Sequence, residues 1–393
     1  MKYPEYISEI ISRLESAGEE AYVVGGSVRD SLLGIKANDF DIATSSLPQK
    51  TIALFSDKRV VETGLKHGTV TVISCGEPIE ITTFRVDGSY TDSRHPNTVR
   101  FTKRIEEDLS RRDFTVNAMA FSETRGLVDV FGGRADLEAR IIRAVREPSL
   151  RFSEDALRIM RAFRFSAQLG FEIEESTLRG AKEMRSRLES IARERICAEF
   201  VKLLCSPSPK NAILQMIECG ILPFVTGNIV PNDRAINALS DMPTSDIARL
   251  GTFFSGYNQD DIRKVLNSLK CSGKQITGTL AVARGSLMCV DSPTSATALI
   301  AAVGEYASLA ARASYLLGNS PENAEAYVAA NRAPSKISEL DIGGRDIIAL
   351  GVCGTEIGRV LDELLKMAMN DPDLNQKEKL TQIAKGIINE SRT

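Results

Sequence analysis

The feature that most limits how this chain can fold is a break. The apolar run Ala21–Val24 stops at two consecutive glycines, Gly25 and Gly26, and continues as SVRDSLLG, a helix-type pattern. Glycine permits a tight strand-to-helix turn and lets backbone approach a ligand closely. A helix N-terminus directly after the turn offers unpaired N–H groups and the positive end of the helix dipole, which suits phosphate. Arg29, one turn into that helix, can clamp a phosphate oxygen. Thirteen residues after Gly26 comes Asp39, in NDFDIAT, a second strand in which Asp39 and Asp41 alternate with Phe40. Side chains at i and i+2 of a strand share a face. Two carboxylates placed so repel one another, and a divalent cation relieves that cost. Hard oxygen donors suit Mg²⁺, which takes one or two carboxylates and fills its shell with substrate phosphates. In two-metal phosphoryl chemistry one ion activates the attacking hydroxyl and the other stabilises the leaving oxygen. Taken alone, the glycine turn is a turn with a surface arginine and the acid pair is solvated. Their spacing is what joins them.

The neighbouring segments extend an α/β pattern. GTVTVISC (68–75) and IEITTFR (79–85) alternate like paired strands, with Gly76–Pro78 as their turn. After Leu109 come RRDFTVNAMAFS and the turn-rich LVDVFGGRADLEAR. From about Pro148 onward the pattern is helical almost throughout. RFSEDALRIMRAFRFSAQLG carries apolar residues at helical spacing and stops at Gly170. SPSPK (206–210) reads as a linker, MPTSD and DSPTSAT mark turns, and DIGGRDIIALGVCGTEIGRVLDELL holds a turn and then a helix. No short-period repeat is present, which argues against a solenoid.

At 393 residues, with 43% hydrophobic and 26% charged side chains, the chain suits two to four globular domains. No apolar run approaches the ~20 residues of a membrane helix, and the amphipathic, acidic N-terminus lacks the basic-then-apolar order of a signal peptide. A cytoplasmic protein without a membrane partner is expected. The seven cysteines are scattered without a CxxC pair, so neither a zinc site nor a disulfide framework is indicated. A net charge of −3 does not advertise nucleic-acid binding, but binding follows local charge. Eight arginines, no lysine and five acids lie between Arg134 and Arg164, and six basic residues lie between Arg94 and Arg112.

Together, GGSVRD and DFD resemble the signature of the polymerase β-like nucleotidyltransferases, in the branch holding bacterial CCA-adding enzymes and poly(A) polymerases. VETGLKHGTVTV (61–72), EITTFR (80–85), RRDFTVNAMAF (111–121) and RFSEDALRIMRAFRF (151–165) resemble further motifs of that family in the right order. The likeness is close over about residues 20–170 and weaker at GGRDIIALG and EIGRVLDELL. It implies an α+β fold: a nucleotidyltransferase head with a mixed sheet over 1–147, then an all-helical neck (148–205), body (206–318) and tail (319–393), the tail binding tRNA. It places the metal ligands at Asp39 and Asp41. Glu80 becomes a third carboxylate that supports the metals or the primer hydroxyl, against the plain alternative of an exposed strand residue. Gly25, Gly26 and Arg29 fall on the phosphates. Arg112 falls on the incoming nucleotide, with Arg111 one step of register away, and Asp113 and Asn117 hold the ribose or the local structure.

The same resemblance makes EDALR the base-reading element. With no nucleic-acid template, protein must imitate the edge of a base. Asp155 can accept from the exocyclic amine that C and A share, and Arg158 can donate to a ring nitrogen or carbonyl. Three apart on a predicted helix, they are neighbours on one face; a surface salt bridge between them is the plainer alternative. The resemblance counts Arg161 and Arg164 among nucleotide-contacting positions too, although Arg164 lies about 180° around the helix from Asp155 and suits tRNA phosphate or pocket support.

The implied activity is template-independent addition of C, C and A to the 3′ end of tRNA from CTP and ATP, with release of pyrophosphate and two Mg²⁺ ions during catalysis. No protein partner is indicated. DGSYTDSRHPNTVRF (87–101) matches in length the loop of relatives that add A, which disfavours a CC-only enzyme; shortening it is expected to spare C addition and harm A addition. An A-adding enzyme and a poly(A) polymerase remain as alternatives, the latter disfavoured by an acidic-to-mixed C-terminal helix. A relative that only binds RNA is disfavoured because both metal acids are kept. Of two histidines, His67 and His95, neither lies in the C-terminal two thirds, so the His/Asp phosphohydrolase domain of one bacterial branch is not expected.

Overall fold

The apolar run Ala21–Val24 forms strand β1, buried at all four positions. It is flanked by α1 (Glu5–Ser16) and α2 (Gly26–Leu32). Ile7, Ile10, Ile11 and Leu14 recur at the helical period and bury one face of α1, which packs on β1 and on α3 (Pro48–Leu54). Each such side chain contributes roughly 1.5–3 kcal/mol by leaving water. The computed structural model describes residues 1, 3–37, 39–87 and 99–390.

The remaining strands of the main sheet are β2 (Asp41–Thr44), β3 (Arg59–Val61), β4 (Thr69–Ser74), β5 (Glu77–Thr83), β8 (Ala120–Ser122) and β9 (Gly126–Val128). Their order is β3-β4-β5-β2-β1-β8-β9; β5 and β2 run parallel and the other neighbours antiparallel. One face carries Tyr22, Val24, Ala43, Phe84 and Ala120, covered by Ile105 and Leu109 of α4 (Ile105–Ser110). The β4–β5 hairpin is expected from alternation, but its turn is tighter than Gly76–Pro78. Cys75 and Gly76 form it with φ of 51° and 84°, the positive pair that a two-residue turn matched to strand twist needs. Pro78 already lies in the strand, opposite Ile73. A small antiparallel pair, β6 (Arg85–Asp87) and β7 (Val99–Phe101), follows. The rest of the expected 87–101 loop, residues 88–98, lies outside the described residues.

Helices take over after α5 (Gly133–Ala139) and the short strand β10 (Ile141–Ile142), which pairs in parallel with β11 (Glu172–Ile173). The helix read through RFSEDALRIMRAFRFSAQLG is two helices, α6 (Pro148–Glu154) and α7 (Leu157–Leu169). Asp155 between them is extended, with φ −143° and ψ 103°. Its own Oδ1 accepts the Leu157 N–H at 3.0 Å, an aspartate competing with helix continuation by capping the next turn. Then come α8 (Glu175–Met184), α9 (Arg193–Leu204) and α10 (Pro209–Glu218). Gly180 of α8 allows close approach of α6, since a Cβ there would meet Pro148 Cβ at 2.8 Å. The SPSPK linker is shorter than expected, because Pro209 opens α10, the helix position proline tolerates best.

The described chain divides into two units, Met1–Leu203 with Asn211–Val225, and Leu204–Lys210 with Thr226–Thr393. In the first, sheet and neck helices form one unit. In the second, Gly251 and Gly285 let helices meet closely, a Cβ at either falling within 2.6 Å of Val282 or Ala310. One apolar cluster runs from Val290 to Ala324, across the expected body–tail border at 318, and another from Leu340 to Ile388. No helix among the described residues is long and apolar enough to cross a membrane.

Candidate active site

Strand register sets the acidic wall. Asp41, the first residue of β2, is the partner of Val24 on β1 and of Glu80 on β5. Glu80 is exposed between buried Ile79 and Ile81, so alternation along β5 turns it away from the core. Asp41 and Glu80 thus stand side by side in a cleft of about 430 Å³. Protein crowds the Asp41 carboxyl although it opens to the cleft, and this desolvation raises its pKa; Arg112 lowers it and Asp39 raises it. Glu80 is raised by desolvation and then by Asp41 and Asp39. Asp39 is exposed and precedes the strand instead of sharing it, so the expected i, i+2 pair on one strand becomes a loop residue and a strand residue. Among the described residues, no three His, Cys, Asp or Glu side chains close on a common point that holds a metal. The donor chemistry nevertheless fits a hard cation: three mutually repelling carboxylates, each acceptor-only when ionised.

Basic residues form the opposite side. Asp108 is fully buried; desolvation pushes its carboxyl up, but Arg111 and Arg112, with the N–H of Arg85, hold it below the usual range. Arg111 is pinned there, Nε at 3.0 Å and Nη2 at 2.9 Å, whereas Arg112 reaches Asp108 only at 3.4 Å. Arg112 Nε is buried without a partner, and a Cβ on Gly25 would meet Arg112 Nη1 at 3.0 Å. Both arginines of RRD line the cleft, Arg111 bound to Asp108 more closely and Arg112 the less committed guanidinium beside Asp41. The two glycines differ as well. Gly25 has φ 75° and a tight approach to the tip of Arg112, while a Cβ on Gly26 would make ordinary 3.5 Å contact with Arg29.

Arg29 turns away from the expected phosphate clamp. It is 5% exposed, with Nε on Asp30 at 2.8 Å and Nη1 on Asn117 at 2.7 Å. Asn117 in turn reaches Asp113 at 3.4 Å. Asp113 Oδ2 accepts from Arg161 Nε at 2.7 Å and Nη2 at 2.6 Å, and Oδ1 accepts the Phe114 N–H at 2.9 Å. Burial opposes the charge on Asp113, but Arg161, Arg158 and that N–H outweigh it and bring the carboxyl down to about 2. Asp113 and Asn117 are thus tied into this hydrogen-bonded network, with Asp113 also in the cleft lining. Arg164 pairs with buried Glu199 at 2.5 Å and stacks 3.8 Å from the Phe165 ring centroid.

The pair expected to read the base reaches the same cleft by a route the sequence did not indicate. Asp155 and Arg158 both line it, yet they are not on one helix and do not pair with each other. Arg158 Nη1 donates to Glu154 at 2.6 Å and Nη2 to the Arg111 carbonyl at 3.0 Å. Asp155 is held by Arg195, 40 residues on, at 2.9 Å. Asp41, Glu80, Arg112, Asp155, Arg158 and Arg161 are thus brought together, while Gly25, Gly26, Arg29, Asp39 and Arg164 lie outside the lining. Sequence reasoning missed Arg195 and Arg85 in the lining and Asp108 behind it. The doubled arginine of RRD was the one local sign of a buried acid nearby.

Comparison with known proteins shows the family of the chain. The poly A polymerase head domain model matches residues 21–143, and the model named probable RNA and SrmB-binding site of polymerase A matches residues 170–227. The chain is 38% identical over 387 residues to the CCA-adding enzyme of Limosilactobacillus fermentum, covering 95% of each chain. It is 34% identical over 388 residues to that of Leuconostoc mesenteroides, covering 97% of this chain and 96% of the other. The crystal structure of the Bacillus stearothermophilus CCA-adding enzyme in complex with CTP superposes with a TM-score of 0.82 at 31% identity, over 100% of this chain and 99% of that one. A mixed-sheet head, a helical remainder and an acid-and-arginine cleft, with identity running nearly end to end, place this chain in the CCA-adding enzyme family.

Proposed function

We propose that this chain adds C, C and A, without a nucleic-acid template, to the 3′ end of tRNA from CTP and ATP, releasing pyrophosphate. The observation that carries this reading is a single cleft with Asp41 and Glu80 on one side and Asp155 and Arg158 on the other. It holds a site for phosphoryl transfer and protein groups able to read a base edge. Asp39 and Asp41 would hold Mg²⁺, with Glu80 adjacent. When bound, the metal supplies a polarised phosphate and an acidified attacking hydroxyl. Arg112, beside Gly25, neutralises triphosphate charge, and the side-chain-free Gly25–Gly26 turn leaves room for it. Asp155 accepts from the amine of C or A and Arg158 donates to the neighbouring ring position. A U or G leaves a buried group unpaired, at about 1–3 kcal/mol each. Arg161 orders the cleft wall through Asp113, and we assign Arg29 and Arg164 to support of the pocket. The helical second unit is the proposed grip on tRNA, read by shape and phosphate, in a cytoplasmic setting.

The test uses the full chain, Mg²⁺ and tRNA transcripts ending at the discriminator base, at C and at CC, each given CTP, ATP or both. Growth to CCA followed by a stop is expected. A added solely to the CC-ending transcript, or long A tails, would overturn the reading in favour of an A-adding enzyme or a poly(A) polymerase.

A further inference from the structure

The carboxylate assigned to base reading is itself held in place. Arg195 donates from Nη2 to Asp155 Oδ2 at 2.9 Å and from Nη1 to Oδ1 at 3.4 Å. The same Oδ1 accepts the Leu157 N–H at 3.0 Å. Both side chains line the cleft and both are mostly covered, at 16% exposure for Asp155 and 24% for Arg195. A carboxylate has about four acceptor lobes. Two on Oδ1 and one on Oδ2 are occupied, which leaves one lobe, on Oδ2. Contacts to both oxygens also fix the rotation of the carboxylate plane. Asp155 has an extended backbone between two helices, so apart from the Leu157 N–H at the start of α7 its side chain is held by Arg195.

We propose that Arg195 is a positioning residue for nucleotide selection: it presents the single remaining Oδ2 acceptor of Asp155 to the exocyclic amine of C or A. This rests on the base-reading role of Asp155 proposed above. A held acceptor takes an amine and opposes a carbonyl at the same ring position, so U and G are refused by lone-pair repulsion as well as by a missing bond. A carboxylate free to rotate turns its lone pairs aside or admits a bridging water, and the refusal weakens. The fork geometry matters, because lysine offers a point charge in place of two fixed donors.

The experiment compares the full-length wild type with Arg195→Ala, Arg195→Lys, Asp155→Ala and the double variant Asp155→Ala/Arg195→Ala. Each extends a tRNA transcript ending at the discriminator base, with kcat/KM measured for CTP and for UTP. The ratio of the two is expected to fall about tenfold in Arg195→Ala, and by an intermediate factor in Arg195→Lys. In the double variant it falls no further than in Asp155→Ala alone, because an effect exerted through Asp155 vanishes without it. Equal losses for CTP and UTP, or a ratio that drops again in the double variant, would overturn the proposal and leave Asp155 as the reader. An unchanged ratio in Asp155→Ala would overturn the base-reading assignment itself. If thermal unfolding shows Arg195→Ala to be poorly folded, Arg195→Lys decides, and a wild-type ratio there would refute the idea.

Discussion

Asp113→Asn keeps the side-chain shape and removes the charge that faces Arg161. In the folded chain Asp113 is 9% exposed, and its carboxyl is brought from 3.8 down to about 2. Each unit of such a difference is about 1.4 kcal/mol, and a group this well covered loses little of it to solvent screening. The carboxylate form thus contributes about 2 kcal/mol. The folded pKa is the depressed one, so this contribution is fully present above the unfolded value of 3.8 and is lost as pH falls through about 2. The variant also strands Arg161, whose other acid, Glu199, is 4.0 Å away. For a unit of roughly 200 residues, about 2 kcal/mol corresponds to about 4–8 °C in Tm. Calorimetry should show that deficit unchanged between pH 7 and pH 5 and reduced to about half at pH 3, where the unfolded wild-type chain already binds the proton that the folded carboxylate still largely refuses. A variant as stable as the wild type at pH 7, or a deficit that persists undiminished at pH 3, would refute the argument.

Asp41 and Glu80 carry the opposite sign: their raised pKa values mean that ionisation in the folded state is unfavourable at neutral pH and is relieved as pH falls. Mg²⁺ should therefore raise the Tm more at pH 8 than at pH 5, and Asp41→Asn should abolish that shift and cut transfer by on the order of 10³-fold; an equal shift at both pH values would contradict this. Gly25→Ala should cost about 1–3 kcal/mol from the positive-φ backbone alone and displace Arg112, whereas Gly26→Ala should leave thermal stability within about 0.5 kcal/mol; equal melting shifts would remove the distinction. Cys75→Asn should stabilise the chain by up to about 1 kcal/mol in urea unfolding, because Asn-Gly suits the positive φ pair of the hairpin turn better. A loss would mean the turn depends on the thiol.

Much of the head was legible because its signals are local. Apolar runs and alternation placed β1, β4 and β5, and the glycine pair marked the entry to α2. What escaped depended on competition or distance. Helical spacing runs straight through residues 151–169, and nothing in periodicity shows that the Asp155 carboxylate captures the Leu157 N–H and breaks the helix. β2 begins at Asp41 and not at Asp39, because pairing with β1 and β5 fixes where the strand begins and those partners lie outside the motif. Arg29 looked like a phosphate clamp by its distance from the glycines, but Asn117, 88 positions away, takes its Nη1. The Asp155–Arg195 pair spans 40 positions and leaves no spacing to read. The angle of about 180° between Asp155 and Arg164 was drawn for one continuous helix, and the break at Asp155 removes its basis.

The meeting of Asp41 with Glu80 also bears on how genes for such a chain can vary. The two acids are brought together by strand register, through the pairs Asp41–Glu80, Ile42–Ile81, Ala43–Thr82 and Thr44–Thr83. Exchanging one apolar residue for another in β2 or β5 leaves that alignment standing. Deleting or inserting a single codon inside either strand shifts the pairing by one and sends every side chain beyond it to the opposite face. A library covering residues 41–44 and 77–83 should then show many tolerated missense changes and almost no tolerated in-frame indels, with length tolerance returning at the exposed Cys75–Gly76 turn.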